Sequence, residues 1–344
     1  MSVRIATDGS ATTVTASPRT LTVCVVITTE ERAEPSWVPQ LEDCSPALRR
    51  ALERVGLQAG ELWLHLLGIG LERGAPTAAE LVDAVAELAP AELRRHLVGV
   101  HVPAWRALVG ADTLEAAARG DRNADAVLLA DECYYGGRAR DSLSLLLPLS
   151  VAQTKKRVAD VLRRFHNEVF AAREDELVAQ LERDVDAKRA RSLSPDALIT
   201  AATRGYVYEP EPELGRVVLV PHLAARPWIL LCQHRTTRLI CYAAEPESAP
   251  HAQEVRARAL KLGRALGDEK RVLVLARLAA GEAGLAELAE SAGLAKSTVH
   301  HHLVLLRDAG LVGMRGNDQG YRYFLRAEGA TESSGVLGDL LAPR

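Results

Sequence analysis

Leu285-Ala286-Glu287-Leu288-Ala289-Glu290-Ser291-Ala292-Gly293-Leu294-Ala295-Lys296-Ser297-Thr298-Val299-His300-His301-His302-Leu303 is the stretch that decides how this chain is read. Ala289, Gly293 and Val299 have the spacing that a helix-turn-helix needs. A small residue lets two helices cross closely, glycine supplies the backbone angle of a tight turn, and a β-branched residue fills the crossing from the second helix. On that second helix Val299, Leu303, Leu306 and Ala309 share one face. Lys296, Ser297, Thr298, His300 and His301 are left near its N-terminal end or off the core face, where a recognition helix meets base edges. His302, one position before the core residue Leu303, is expected to pack or hydrogen-bond within the fold.

Working outward, Val255 to Gly267 reads as a helix, Asp268 stands where an N-cap belongs, and Arg271 to Ala280 forms a further helix ending at Gly281. Downstream, Ala309-Gly310 stops the second helix of the pair. Two strands follow, Leu311 to Arg315 and Tyr321 to Leu325, around the turn Gly316-Asn317-Asp318-Gln319-Gly320. This is a wing, and Arg315 and Arg322 flank its tip, where phosphate or minor-groove contact is expected.

The run from Lys296 to Val312, Lys-Ser-Thr-Val-His-His-His-Leu-Val-Leu-Leu-Arg-Asp-Ala-Gly-Leu-Val, resembles the ArsR-type winged-helix repressors. The pattern of that family reads Ser-x-Val-Ser-x-His-Leu-x-x-Leu-x-x-Ala-Gly-Leu-Val. Ser297 and Val299 match it, His300 stands where the family usually has Ser, and His302 takes the place of the His before Leu. The whole chain is similar to the long actinobacterial members, in which an N-terminal strand, a helical body and a Val-Pro-containing β layer precede the winged helix. Here that layer holds Val220-Pro221 and Arg226-Pro227. Metal-sensing members carry Cys-x-Cys on the first helix of the pair, or a His/Asp set after the wing. This chain has Glu282-Ala283-Gly284-Leu285-Ala286-Glu287 at the first place and no His or Cys after Arg326. The resemblance therefore implies duplex DNA as partner and a two-fold dimer, without the family's metal sites.

The rest of the 344 residues sets bounds. With 48% apolar and 25% charged residues the composition is globular, and the length asks for two or three domains. Aromatics at 4% disfavour a single-strand binder built on stacking. Cys24, Cys44, Cys133, Cys232 and Cys241 are scattered without a CxxC pair, which argues against a disulfide framework or a structural zinc site. Residues 1–20 lack the apolar core of a signal peptide, and the longest apolar run, Leu143 to Ala152, is too short for a bilayer. A soluble, cytoplasmic protein is expected. The net charge of −3 is uneven: Glu254 to Arg326 carries twelve basic and eight acidic residues, net +4, leaving −7 on the remainder. A basic end on an acidic body suits a polyanion.

Before that end, Val3, Ile5 and then Leu21, Val23, Val25 and Ile27 alternate as strands do, with turn chemistry at Asp8-Gly9-Ser10. Pro46 to about Arg191 reads as helices broken at Gly74-Ala75-Pro76, Ala89-Pro90, Gly120-Asp121 and Tyr135-Gly136-Gly137, and Ser194-Pro195 opens another. From Tyr206 to Ala243 short β-rich runs suggest a small antiparallel layer. Its aromatic weight (Trp228, Tyr206, Tyr208, Tyr242) leaves room for a small-molecule pocket.

Three motifs have plain readings. Gly68-Ile69-Gly70-Leu71-Glu72-Arg73-Gly74 follows a helix-like stretch rather than a strand, so it reads as a helix end, not a dinucleotide loop. Neighbouring side chains on a helix diverge by about 100°, so His300, His301 and His302 cannot close on one ion. Cys133, with His96 and His101 upstream, could supply a nucleophile and base, but free cysteines are usually buried and inert.

The expected fold class is α+β: a mostly helical N-terminal body with a small antiparallel β layer, then a C-terminal winged helix-turn-helix. The segments are 1–244 (body, for effector binding or dimerisation), 245–253 (linker), 254–327 (winged helix) and 328–344 (flexible tail). The expected function is a DNA-binding transcription regulator, a repressor acting as a homodimer, with a small-molecule effector at the body kept open. Dimer contacts are expected around Val158 to Val169 and Val255 to Leu266. The DNA-contacting set is Lys296, Ser297, Thr298, His300, His301, Arg315 and Arg322. The structural set is Ala289, Gly293, Val299, His302 and Leu303. No catalysis, cofactor, metal or membrane is expected. Two alternatives stay open: a winged helix serving protein–protein contact, and an enzymatic body fused to a DNA-binding domain.

Overall fold

Ser45, Thr77, Asp121, Ser150 and Ser194 each stand one residue before a helix, and each side chain accepts a backbone N–H of the first turn. At Thr77 and Ser150 the cap is reciprocal, through Glu80 and Gln153. Such punctuation cuts the middle of the chain into short helices. The computed structural model describes residues 3–7, 10–16, 44–56, 60–74, 77–137, 140–223, 227–245, 251–317 and 320–342. Strands β1 (Val3–Thr7) and β2 (Ser10–Ala16) come first. The expected strand Leu21 to Ile27, residues Asp8-Gly9 of the first turn, Arg226, the linker Pro246 to Pro250 and Asp318-Gln319 of the wing tip lie outside the described residues.

Eleven helices follow among the described residues: α1 (Pro46–Glu53), α2 (Gly60–Leu64), α3 (Leu67–Arg73), α4 (Ala78–Glu87), α5 (Pro90–Leu97), α6 (Pro103–Val109), α7 (Ala111–Ala118), α8 (Arg122–Ala130), α9 (Arg140–Leu146), α10 (Val151–Phe165) and α11 (Glu174–Ala190). The chain then makes α12 (Pro195–Ala202), β3 (Tyr206–Tyr208), β4 (Arg216–His222), β5 (Leu230–His234), β6 (Thr237–Ala243), α13 (His251–Leu266), α14 (Glu269–Ala279) and β7 (Ala283–Gly284). It ends with α15 (Leu285–Ala292), α16 (Lys296–Asp308), β8 (Val312–Asn317), β9 (Gly320–Leu325) and α17 (Gly329–Leu341).

Two compact units result. One is built chiefly from Thr12–Ala187 and Leu214–Ala244. Its core joins Trp63, Leu66, Leu97, Leu146, Leu162 and Phe170 of the helices to Val218, Val220, Leu239 and Cys241 of the strands. Arg94 and Asp125 are buried there as an ion pair at 2.9 Å, and Arg94 also donates to the carbonyls of Leu147 and Leu149 at 2.8 and 3.0 Å. Those bonds engage both terminal nitrogens of the guanidinium, as a buried charge needs, while Nε is left without a partner.

The β layer of this unit is mixed rather than antiparallel. β5 and β6 form a hairpin through Arg235-Thr236, but β4 lies beside β6, parallel to it, and β2 lies parallel to β4. β4 from Val217 onward and β6 from Arg238 to Tyr242 are continuously buried, as strands covered on both faces are. The apolar stripe Val158, Val161, Leu162 and Phe165 is also internal to this unit, so that helix face is not available to a second copy.

The second unit is built chiefly from Lys188–Glu213 and Glu245–Arg344, so residues 188–213, expected in the body, go with it. β3 belongs here: Tyr206, Val207 and Tyr208 pair parallel with Met314, Arg315 and Gly316 in a sheet of order β3-β8-β9-β7. The aromatic residues expected to line one pocket therefore sit in two different sheets. Tyr206 and Tyr208 belong to the wing sheet, while Tyr242 donates to Asp184 Oδ2 at 2.7 Å. Gly205 makes the β3 pairing feasible, because its φ is +108° and its carbonyl accepts from Met314 N at 2.9 Å. The expected flexible tail is helix α17, packed against α13. Arg326 anchors its start, donating to Gly310 O at 2.9 Å and pairing with Glu332 at 3.3 Å.

Candidate nucleic-acid interface

Gly293 ends α15 with φ +64°, and a Cβ there would meet nothing within 4 Å. The glycine answers to backbone angle, not to space. Across the turn, Ala289 is 6% exposed and Val299 is fully buried, with Leu303 and Leu306 behind it. The spacing read from the sequence thus makes a close crossing of α15 and α16, and the second of these presents its N-terminal end outward.

Lys296, Ser297 and Thr298, the first three residues of α16, are exposed. The N-cap is Ala295, which has no side-chain acceptor to offer the first N–H groups. Those donors and the positive end of the helix dipole are left for an external anion, and a DNA phosphate is one. His301 is exposed and His300 half-buried. Both therefore stand on the flank of α16.

His302 turns inward and is 8% exposed. Arg271 Nη1 donates to His302 Nδ1 at 3.4 Å, and Arg271 also donates to the Ala265 and Arg264 carbonyls at 2.9 and 2.6 Å. Asp268 caps α14 by accepting from Arg271 N at 3.0 Å. Burial lowers the His302 pKa below its usual value, Asp268 opposing and Arg271 adding to the effect, so Nδ1 is an acceptor on a neutral ring. This histidine joins α13, α14 and α16 and does not face solvent, as its place beside Leu303 predicted.

On the wing, Arg315 and Arg322 are directly opposed across β8 and β9. Like charges so placed repel, and two glutamates relieve them. Arg315 Nε lies 3.7 Å from Glu282 Oε1, with its guanidinium 5.7 Å from the Phe324 ring centroid. Arg322 Nη1 lies 3.4 Å from Glu287 Oε1, and its Nη2 donates to Glu282 O at 2.7 Å. Glu287 also pairs with Arg277 at 3.4 Å. The wing arginines are therefore half-exposed cations already engaged by α15 and the turn before it. Sequence reading found the arginines but not these carboxylates; the signal was the acidic run Glu282 to Glu290 beside a basic wing. Asp308 is a second neutralising site, holding Arg204 at 3.3 Å and Lys261 at 3.0 Å.

No curated protein matches the chain. Among solved structures, NolR from Sinorhizobium fredii aligns at 26% identity over 29% of this chain and 100% of its own, with a TM-score of 0.23. The family model described as bacterial regulatory protein, arsR family, matches residues 268–313, which hold α14, both helices of the crossing and the start of the wing. Residues 268–313 are thus an ArsR-family helix-turn-helix, the DNA-binding element of a transcription regulator.

Proposed function

We propose that the protein is a repressor that binds a near-palindromic duplex site as a homodimer, one recognition helix per half-site. The observation that carries this reading is the first turn of α16: Lys296, Ser297 and Thr298 exposed around N–H groups that no side chain caps. In this reading Lys296, Ser297, Thr298, His300 and His301 meet bases or adjacent phosphates, and Arg315 and Arg322 exchange their glutamates for DNA backbone. Apolar exposure on the second unit supports a dimer. Leu260 is 59% exposed and Leu266, Leu337 and Leu340 are also open, on α13 and α17, which pack together. Leucines grouped this way favour a covered face. The helical body, without catalytic work of its own, adjusts DNA affinity in response to an effector.

The test has two arms. Duplex fragments selected from a random pool by the purified chain should converge on an inverted repeat with half-sites about 10 base pairs apart, and light scattering at micromolar concentration should give twice the chain mass. A pool that does not converge, or a monomer that stays monomeric on DNA, would overturn the reading.

A further inference from the structure

Glu72 lies one helical turn after Gly68 on α3, and the two share a helix face. A Cβ on Gly68 would lie 2.3 Å from His234 Nδ1, so the glycine is what lets the His234 ring lie against the helix. His234 Nε2 is then 3.0 Å from Glu72 Oε1, and Arg235 reaches the same oxygen at 2.7 Å. The other carboxylate oxygen, Oε2, faces His96 Nε2 at 3.8 Å. His101 completes the group: its ring centroid is 4.8 Å from that of His96 and 5.0 Å from that of His234. All these residues belong to the first unit.

The His96 side chain is 1% exposed, and neither of its ring nitrogens has a hydrogen-bond partner; His101 Nε2 has none either. Buried polar atoms without partners are rare and costly; His96 Nε2 faces Glu72 Oε2, and His101 Nε2 lies 3.6 Å from Glu92 Oε1, beyond hydrogen-bond reach. The backbone that carries them is pinned. Tyr135 and Tyr134 donate to the Leu97 and Val98 carbonyls, each at 2.6 Å, and Arg235 N donates to the His101 carbonyl at 2.7 Å. Imidazoles such as those of His96 and His101 coordinate metal through a ring nitrogen lone pair. Burial pushes Glu72 upward, but hydrogen bonds from His234 and Arg235 keep it below its usual value, and it is ionised.

We propose that Glu72 Oε2, His96 and His101 form a binding site for a divalent transition-metal ion of the zinc class. His234 and Arg235 hold Glu72 through Oε1. Two imidazoles and one carboxylate are a zinc-type donor set, whereas calcium and magnesium take oxygen. The three donor atoms lie within 4.8 Å of one another. Donors about 2.0–2.2 Å from a tetrahedral ion stand roughly 3.3 Å apart, so small side-chain rotations close the site and leave the fourth position to solvent. This inference is independent of the DNA-binding reading, because the site draws on neither the helix-turn-helix nor the wing.

The metal-stripped full-length chain is titrated with Zn²⁺ by calorimetry and with Co²⁺ by absorption spectroscopy. One equivalent of zinc per chain is expected, with a cobalt spectrum of low coordination number. Glu72→Gln and His101→Gln, both at the edge of the cluster, should each weaken zinc binding 10–100-fold. His166→Gln, elsewhere in the same unit, should leave it unchanged. Circular dichroism checks that each variant is folded, and the cobalt spectrum of the unmodified chain stands even if a variant is not. Less than one equivalent, a hexaaqua-like cobalt spectrum, or full affinity in a folded Glu72→Gln variant would overturn the proposal.

Discussion

Glu287→Gln tests the assignment of the wing more sharply than removing an arginine does. The Glu287 carboxylate holds Arg322 at 3.4 Å, with both side chains about half exposed. For Arg322 to reach a phosphate, that pair must break. Solvent-exposed pairs are worth about 0.2–1 kcal/mol, so its removal returns at most that amount to binding. The expected result is a gain in duplex affinity of up to about fivefold, similar on operator and unrelated sequence. Removing a negative charge near DNA also helps without any role for Arg322, and the Arg322→Ala background separates the two effects. There the gain should shrink to the charge effect alone. Arg322→Ala by itself should lower the slope of log K against log salt by about 0.9 for each phosphate it no longer neutralises. Fluorescence anisotropy on two duplexes across a salt series measures all four chains of the cycle. If Glu287→Gln gained equally with and without Arg322, or if Arg322→Ala left the slope unchanged, the wing arginine would not be a phosphate ligand.

Lys296→Ala should behave differently from the wing variants, costing about 1–3 kcal/mol on the preferred sequence and relaxing discrimination at one base, as competition binding with single-base operator variants would read. Asp125→Ala leaves Arg94 charged and buried, and should cost about 3–5 kcal/mol in denaturant unfolding followed in the first unit. Because burial holds the His302 pKa below its usual value, the unfolded chain takes up the proton more readily once pH falls below about 6.5. Stability of the second unit is therefore lost as pH falls, by at most about 1.4 kcal/mol per pH unit for this proton. His302→Gln should flatten that dependence in thermal melts between pH 7 and pH 5.

The helix-turn-helix was legible because its determinants are local. Ala289, Gly293 and Val299 span eleven positions, and each has a role that geometry alone imposes. The helix cap at Asp268 was legible for the same reason. The partner of β3 was not: Tyr206-Val207-Tyr208 reads as a strand, but nothing in three residues says that Met314, over a hundred positions later, is its neighbour. α17 was misread because its glycines and serines have low helix propensity. Packing against α13 and the Arg326–Glu332 pair override that local preference. Of the candidate DNA-facing residues, Lys296, Ser297 and Thr298 stand where the pattern put them, while the engagement of Arg315 and Arg322 by Glu282 and Glu287 needed the folded sheet. The His96 and His101 cluster was invisible for a similar reason: the imidazole stacked on it, His234, comes from a hairpin more than 130 residues away.

The strand β3 has a consequence for how this protein can be taken apart. A chain cut at Glu254 would keep the whole helix-turn-helix and both wing strands, yet would lose the neighbour of Met314, Arg315 and Gly316. It would also lose the Tyr206 hydroxyl, which donates to Gly316 O at 3.1 Å. The fragment would then carry a bare β edge beside the wing arginines, and bare edges recruit other chains. The reading head is not an excisable cassette. Its last strand is supplied by sequence that precedes β4, so an insertion or deletion between α11 and β4 would be felt in the wing, and a transplantable version would have to carry residues 188–213 with it.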